Sequence, residues 1–93
     1  MSSVRSGRTI DAALRKKGFL KSDDSDHLVY RLFSDNGELL ARTKMSHGMM
    51  GSTISASLIS CMARQLHLTK NQFLDLIDCT LDEEGYRELL AGA

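Results

Sequence analysis

His27-Leu28-Val29-Tyr30-Arg31-Leu32-Phe33, then Asp35-Asn36-Gly37, then Glu38-Leu39-Leu40-Ala41-Arg42-Thr43-Lys44-Met45 decide the fold. Side chains alternate sides along a strand. Leu28, Tyr30 and Leu32 therefore share one face, and His27, Val29, Arg31 and Phe33 share the other. The return strand alternates Leu39, Ala41, Thr43 and Met45 with Leu40, Arg42 and Lys44. Asn and Gly tolerate positive φ, so Asp35-Asn36-Gly37 predicts the hairpin turn between them. Each strand is apolar on one face and mixed on the other. That pattern predicts an antiparallel sheet with helices on one side and water on the other.

Working outward, Ile10, Ala13, Leu14 and Lys17 fall at helical spacing and predict a first helix from about Ser6 to Lys17. Ser6 can cap its start, Gly18 suits a left-handed stop, and Lys16 and Lys17 favour its negative end. Phe19 to Lys21 predicts a short strand, and Ser22 to Asp26 a polar turn. Ser46 to Ser52 predicts a loop whose Met49 and Met50 tuck against the core. A second helix is expected over Ile54 to His67, with Ile54, Leu58, Cys61, Met62 and Leu66 on its buried stripe. Thr69 and Gln72 form a capping-box pattern for a third helix, with Leu68 and Phe73 as its staple. A fourth begins at Asp82, with Leu81 and Tyr86 placed as a staple, Leu89 and Leu90 on its buried face, and Gly92 at its end. The expected class is α+β: one domain over residues 1–93, with a core at about 6–67 and a helical extension at about 69–91.

The chain has 93 residues, 42% of them apolar, enough for one modest core. No stretch approaches the roughly 20 apolar residues of a membrane span, so no membrane partner is expected. No apolar run follows Arg5 and Arg8, so no secretory leader is expected. Cys61 and Cys79 are too few for a secreted disulfide scaffold and read as reduced core thiols of a cytoplasmic protein. With His27, His47 and His67 they are too widely spaced for a zinc site, and no metal or cofactor is expected.

The formal net charge is zero, but the charges are not evenly spread. Up to Ser46 there are nine basic residues (Arg5, Arg8, Arg15, Lys16, Lys17, Lys21, Arg31, Arg42, Lys44) against six acidic ones. After it, three basic residues (Arg64, Lys70, Arg87) face six acidic ones. Local potential, not net charge, attracts a polyanion. Arg15, Lys16, Lys17, Lys21, Arg31, Arg42 and Lys44 are therefore the candidate phosphate contacts for RNA. The plain alternative is ordinary solvated charge.

No nucleotide-binding loop or Ser-His-Asp order is present. The chemical candidate is His27, at the start of a strand, because histidine exchanges protons near neutral pH. Arg31 lies on the same strand face, and Arg42 or Lys44 can come from the partner strand. A solvent-facing histidine with no role is the competing reading.

Ala13-Leu14-Arg15-Lys16-Lys17-Gly18-Phe19, Asp26-His27-Leu28-Val29-Tyr30, Met45-Ser46-His47-Gly48 and the stretch from Ile54 to Leu74 resemble the HicA (YcfA-like) family of toxin-antitoxin ribonucleases. His27 matches the motif histidine and Tyr30 the aromatic three positions on, while Ser25 and Asp26 stand where the family pattern has glycine and serine. The resemblance spans about residues 9–90. It implies a fold similar to the double-stranded-RNA-binding domain, and a metal-independent ribonuclease acting on messenger RNA with His27 catalytic. It also implies a HicB-type antitoxin as partner. Two other readings stay open: a non-catalytic RNA-binding module, and a protein-interaction module docking through Asp82, Glu83, Glu84, Leu89 and Leu90.

Overall fold

A computed structural model describes residues 4–24 and 26–92. The central hairpin is β3 (His27–Phe33) with β4 (Leu39–Ser46), and β2 (Leu20–Asp23) pairs with β3 on its other edge. Both pairings are antiparallel. Tyr30 stands opposite Lys21 and Thr43, so all three point to the face that the helices cover. β2 is shifted from the expected span: Phe19 lies outside it, and Ser22 and Asp23 continue the strand. Ser25, expected within the turn that follows, lies outside the described residues.

Leu40 is the extra residue of a bulge, between the pairs Leu32–Ala41 and Phe33–Leu39. A bulge resets the alternation of sides. Leu39, expected on the core face with Ala41, is instead 52% exposed, while Leu40 packs against the core. Val29, expected on the wet face, is buried; β3 is the central strand, and Ser22 and Lys44 flank Val29.

Helix α1 (Gly7–Lys16) is capped by Ser6, whose side chain accepts from the Thr9 N–H. Ile10, Ala13 and Leu14 of α1 meet Leu28, Tyr30, Leu32, Ala41 and Met45 of the sheet in one core. Helix α2 (Ala56–Gln65), capped by Ser55, adds Ile59, Met62 and Ala63, and Leu66 follows it. The buried stripe is thus rotated from the expected one: Leu58 and Cys61 are exposed. Ile54 belongs to a short strand β5 (Thr53–Ile54), paired with β1 (Arg5–Ser6), a pairing the sequence did not suggest. Cys79 is also exposed, so neither thiol is a core thiol.

A single 3-10 turn (His47–Gly51) replaces the expected loop and packs Met49 and Met50 against the core. Gly7 permits its approach: a Cβ there would fall 1.9 Å from the Met49 carbonyl oxygen. The Gly7 N–H donates to the Ser52 carbonyl at 2.8 Å.

Helix α3 (Lys70–Ile77) starts with the expected capping box of Thr69 and Gln72. Helix α4 (Glu83–Gly92) is preceded by Asp82, whose carboxylate accepts from the Gly85 N–H. Phe73, Leu76, Ile77 and Tyr86 join the same core as α1 and the sheet. Tyr86 stacks on Phe19 with ring centroids 5.9 Å apart and donates its hydroxyl hydrogen to the Leu66 carbonyl. Arg87 donates to the Phe33 carbonyl at 3.0 Å. Leu89, expected on the buried face, is exposed; Tyr86 and Leu90 take that role.

Three helices end in the same way. After α1, α2 and α3 the chain turns left-handed at Gly18, His67 and Cys79. At each end the next N–H bonds back to the carbonyl five residues earlier: Phe19 to Leu14, Leu68 to Ala63, Thr80 to Asp75. Gly18 was legible as a stop. His67 and Cys79 were not, because their side chains disfavour that backbone.

Candidate functional site

His27 opens β3 and faces Ser46 at the end of β4. Its backbone exchanges two hydrogen bonds with Asp24, at 2.8 and 3.2 Å, which fixes the strand start. The half-buried side chain lines a cavity of about 210 Å³ between the end of β4 and α2. Lys44 and Ser46 of β4, Met49 of the 3-10 turn, and Leu58, Met62 and Gln65 of α2 form other walls. Cys61 stands at the same cavity.

A second groove, about 410 Å³, runs along β4 from Leu39 to Lys44 and is closed by Gln65 and His67. The two hollows share Lys44 and Gln65 and so adjoin. Gln65 is oriented: its amide oxygen accepts from the Thr43 hydroxyl at 2.6 Å, which leaves its NH₂ group as the donor on offer. Arg42 and Lys44 are exposed, and Arg31 stands opposite Arg42 on the open sheet face, donating to the Ser22 hydroxyl at 2.8 Å. Among the described residues, neither hollow has an acidic lining residue.

The first-helix cations are placed differently. Asp11 of α1 is only 2% exposed, and its carboxylate draws in three donors. Oδ1 accepts from the Tyr30 hydroxyl at 2.5 Å and from Lys21 Nζ at 2.8 Å. Oδ2 accepts from Arg15 at 3.0 and 2.9 Å. Burial by itself would raise the Asp11 pKa. The bonds from Lys21, Tyr30 and Arg15 outweigh it and hold the carboxyl below the usual range. Tyr30 is pushed the other way, first by burial and then by its bond to Asp11 and that carboxylate's charge.

Of the candidate phosphate contacts, Arg15 and Lys21 are therefore engaged at Asp11. Lys17 is only 4% exposed and so largely withdrawn from solvent. Lys16 is exposed, with its Nζ 3.9 Å from the Cys79 sulfur. Arg31, Arg42 and Lys44 remain on the sheet. The structure thus gathers His27, Arg42 and Lys44 near one edge, and places Arg15, Lys17 and Lys21 elsewhere.

Sequence reasoning missed Asp11, Gln65, Met49 and Leu58. Asp11 carried a signal: an acid four residues before Arg15, next to the apolar stripe of Ile10 and Leu14. His47, noted within a motif and set aside as a zinc ligand, sits 2.9 Å from the Asp23 carboxylate at the end of β2. Among the described residues no three His, Cys, Asp or Glu side chains converge where a metal ion could be held. Among them, too, no helix is long and apolar enough to cross a membrane.

No family model, curated protein or solved structure matches this chain.

Proposed function

We propose that this chain is a HicA-like ribonuclease that holds messenger RNA along β4 and cleaves it beside His27. One observation carries the reading: His27 and Lys44 line one cavity, next to a groove that holds Arg42 and, among its described lining residues, no acid. RNA cleavage by its own 2′-hydroxyl needs a proton removed from that hydroxyl and a proton given to the leaving 5′-oxygen. The 2′-oxygen bonds to phosphorus, the P–O5′ bond breaks, and a 2′,3′-cyclic phosphate and a 5′-hydroxyl result. His27 makes one of the two proton transfers and solvent the other. Lys44 balances the charge gathering on the phosphoryl oxygens. Arg42, two residues from Lys44 and about 7 Å along the strand, holds a neighbouring phosphate.

The order α1, β2, β3, β4, α2, with both helices on one sheet face, is compatible with the double-stranded-RNA-binding-domain-like fold and supports the same reading. A HicB-like antitoxin covering the His27 cavity in the cytoplasm is the partner it calls for. The test is controlled expression of wild type and His27→Ala in a bacterial host. Arrested growth and fragmented messenger RNA with wild type alone are expected. Equal growth with intact messages in both would sink the proposal.

Binding without cleavage is the second reading, favoured by Arg31 and Arg42, which are exposed or half-exposed outside the His27 cavity. It calls for salt-dependent RNA binding that His27→Ala leaves unchanged, with no cut product.

A further inference from the structure

We infer that the cavity beside His27 receives one unstacked nucleobase of single-stranded RNA. The inference rests on the RNA reading above and narrows its substrate to a form in which a base can leave the stack. The cavity, at about 210 Å³, lies below the roughly 300 Å³ at which pockets for drug-sized ligands begin, a scale that suits one flat heterocycle. Its apolar walls include Leu58, Met49 and Met62. No Phe, Tyr or Trp ring is among its described lining residues. The two thioethers supply the soft surface, since sulfur makes favourable contacts with aromatic rings.

Polar groups sit where a base edge and its phosphate need them. Gln65, its amide oxygen held by Thr43, offers its NH₂ to a base carbonyl or ring nitrogen. Lys44 stands where the cavity meets the Arg42 groove, so a base in the cavity leaves its phosphates along β4. This pairing of an apolar slot with a cationic track is how single strands are held without a stacked duplex. In a duplex, each base would first have to leave its partner and its stack, at a cost of a few kcal/mol. Double-stranded RNA, by contrast, is met across its shallow minor groove, for which a small recess offers nothing.

The experiment uses full-length protein and fluorescence anisotropy at low salt. Three RNA probes of about 12 nucleotides are compared: oligouridylate, a chain of abasic ribose phosphates, and a blunt duplex. Leu58→Arg is the matching variant, because Leu58 is exposed at the cavity mouth; circular dichroism checks its fold. Arginine blocks the slot while adding a positive charge, so it separates base insertion from phosphate attraction. Oligouridylate is expected to bind wild type about tenfold more tightly than the abasic chain. It should also bind more tightly than the duplex, and lose its advantage over the abasic chain in Leu58→Arg. Equal binding of oligouridylate and the abasic chain, duplex binding at least as tight, or stronger oligouridylate binding by Leu58→Arg would each overturn the base slot and leave the RNA reading standing. No binding of any probe at low salt overturns both.

Discussion

Tyr30 of β3 donates its hydroxyl hydrogen to the buried Asp11 carboxylate of α1 across 2.5 Å, joining residues 19 apart in sequence. The bond does more than satisfy two polar groups. Asp11 also holds Arg15 and Lys21, so one buried carboxylate decides which cations of the first helix and β2 are already paired within the protein.

Removing the hydroxyl tests the first role. Tyr30→Phe leaves Asp11 buried with one donor fewer, and should lower unfolding free energy by about 1–3 kcal/mol. Urea denaturation measures it. No change would mean that Lys21 and Arg15 alone satisfy the carboxylate.

Removing the carboxylate tests the second. Asp11→Ala destabilises the fold but frees Arg15 and Lys21 from their ion pairs. Non-specific RNA affinity of the remaining folded protein should rise at low salt, with a steeper salt dependence. An unchanged slope would show that these cations stay out of reach.

The Asp11 shift also has a pH signature. Its folded pKa lies below the unfolded value, so its stabilisation is fully present above the usual carboxylate range. It is lost as pH falls below about 4 and through the lower folded value. Asp78, held down mainly by its bond from Arg5, acts in the same direction, although that pair is partly exposed and contributes little. Urea midpoints for wild type should fall between pH 5 and pH 2 more steeply than those for Asp11→Asn.

The helix ends give a stabilising change. His67 sits at φ 62° with a side chain that disfavours that conformation. His67→Gly should raise stability by about 0.5–1 kcal/mol, while Gly18→Ala, at φ 97°, should lower it by about 1–2 kcal/mol. Thermal unfolding of the two variants decides the point.

The cations sort themselves by salt dependence. Arg42→Ala and Lys44→Ala should each lower the slope of log affinity against log salt by about 0.7 for single-stranded RNA. Lys17→Ala should leave the slope unchanged and reduce stability, since its stem is buried.

Much of this protein was legible from local pattern. Asp35-Asn36-Gly37 between two alternating runs specified the hairpin, and Ser6, Thr69 with Gln72, and Gly18 marked helix ends. These signals act over a few residues, where backbone conformation and capping depend on adjacent side chains. His27 as a candidate and its place at the head of β3 were equally readable.

What the sequence could not settle depended on which distant elements meet. The bulge at Leu40 turned Leu39 outward, although the alternation placed it inward. Nothing local showed that Lys21 would share a sheet face with Tyr30 and find Asp11 there, leaving Arg42 and Lys44 as the exposed cations of β4. Likewise, Gln65, Met49 and Leu58 gather around His27 only because α2 and the 3-10 turn pack beside the end of β4. The sequence by itself determined the three main strands, the four helices, their order and a charged, histidine-bearing hairpin. Tertiary structure decided which of those charges are free, because a buried carboxylate must draw in donors wherever the fold brings them.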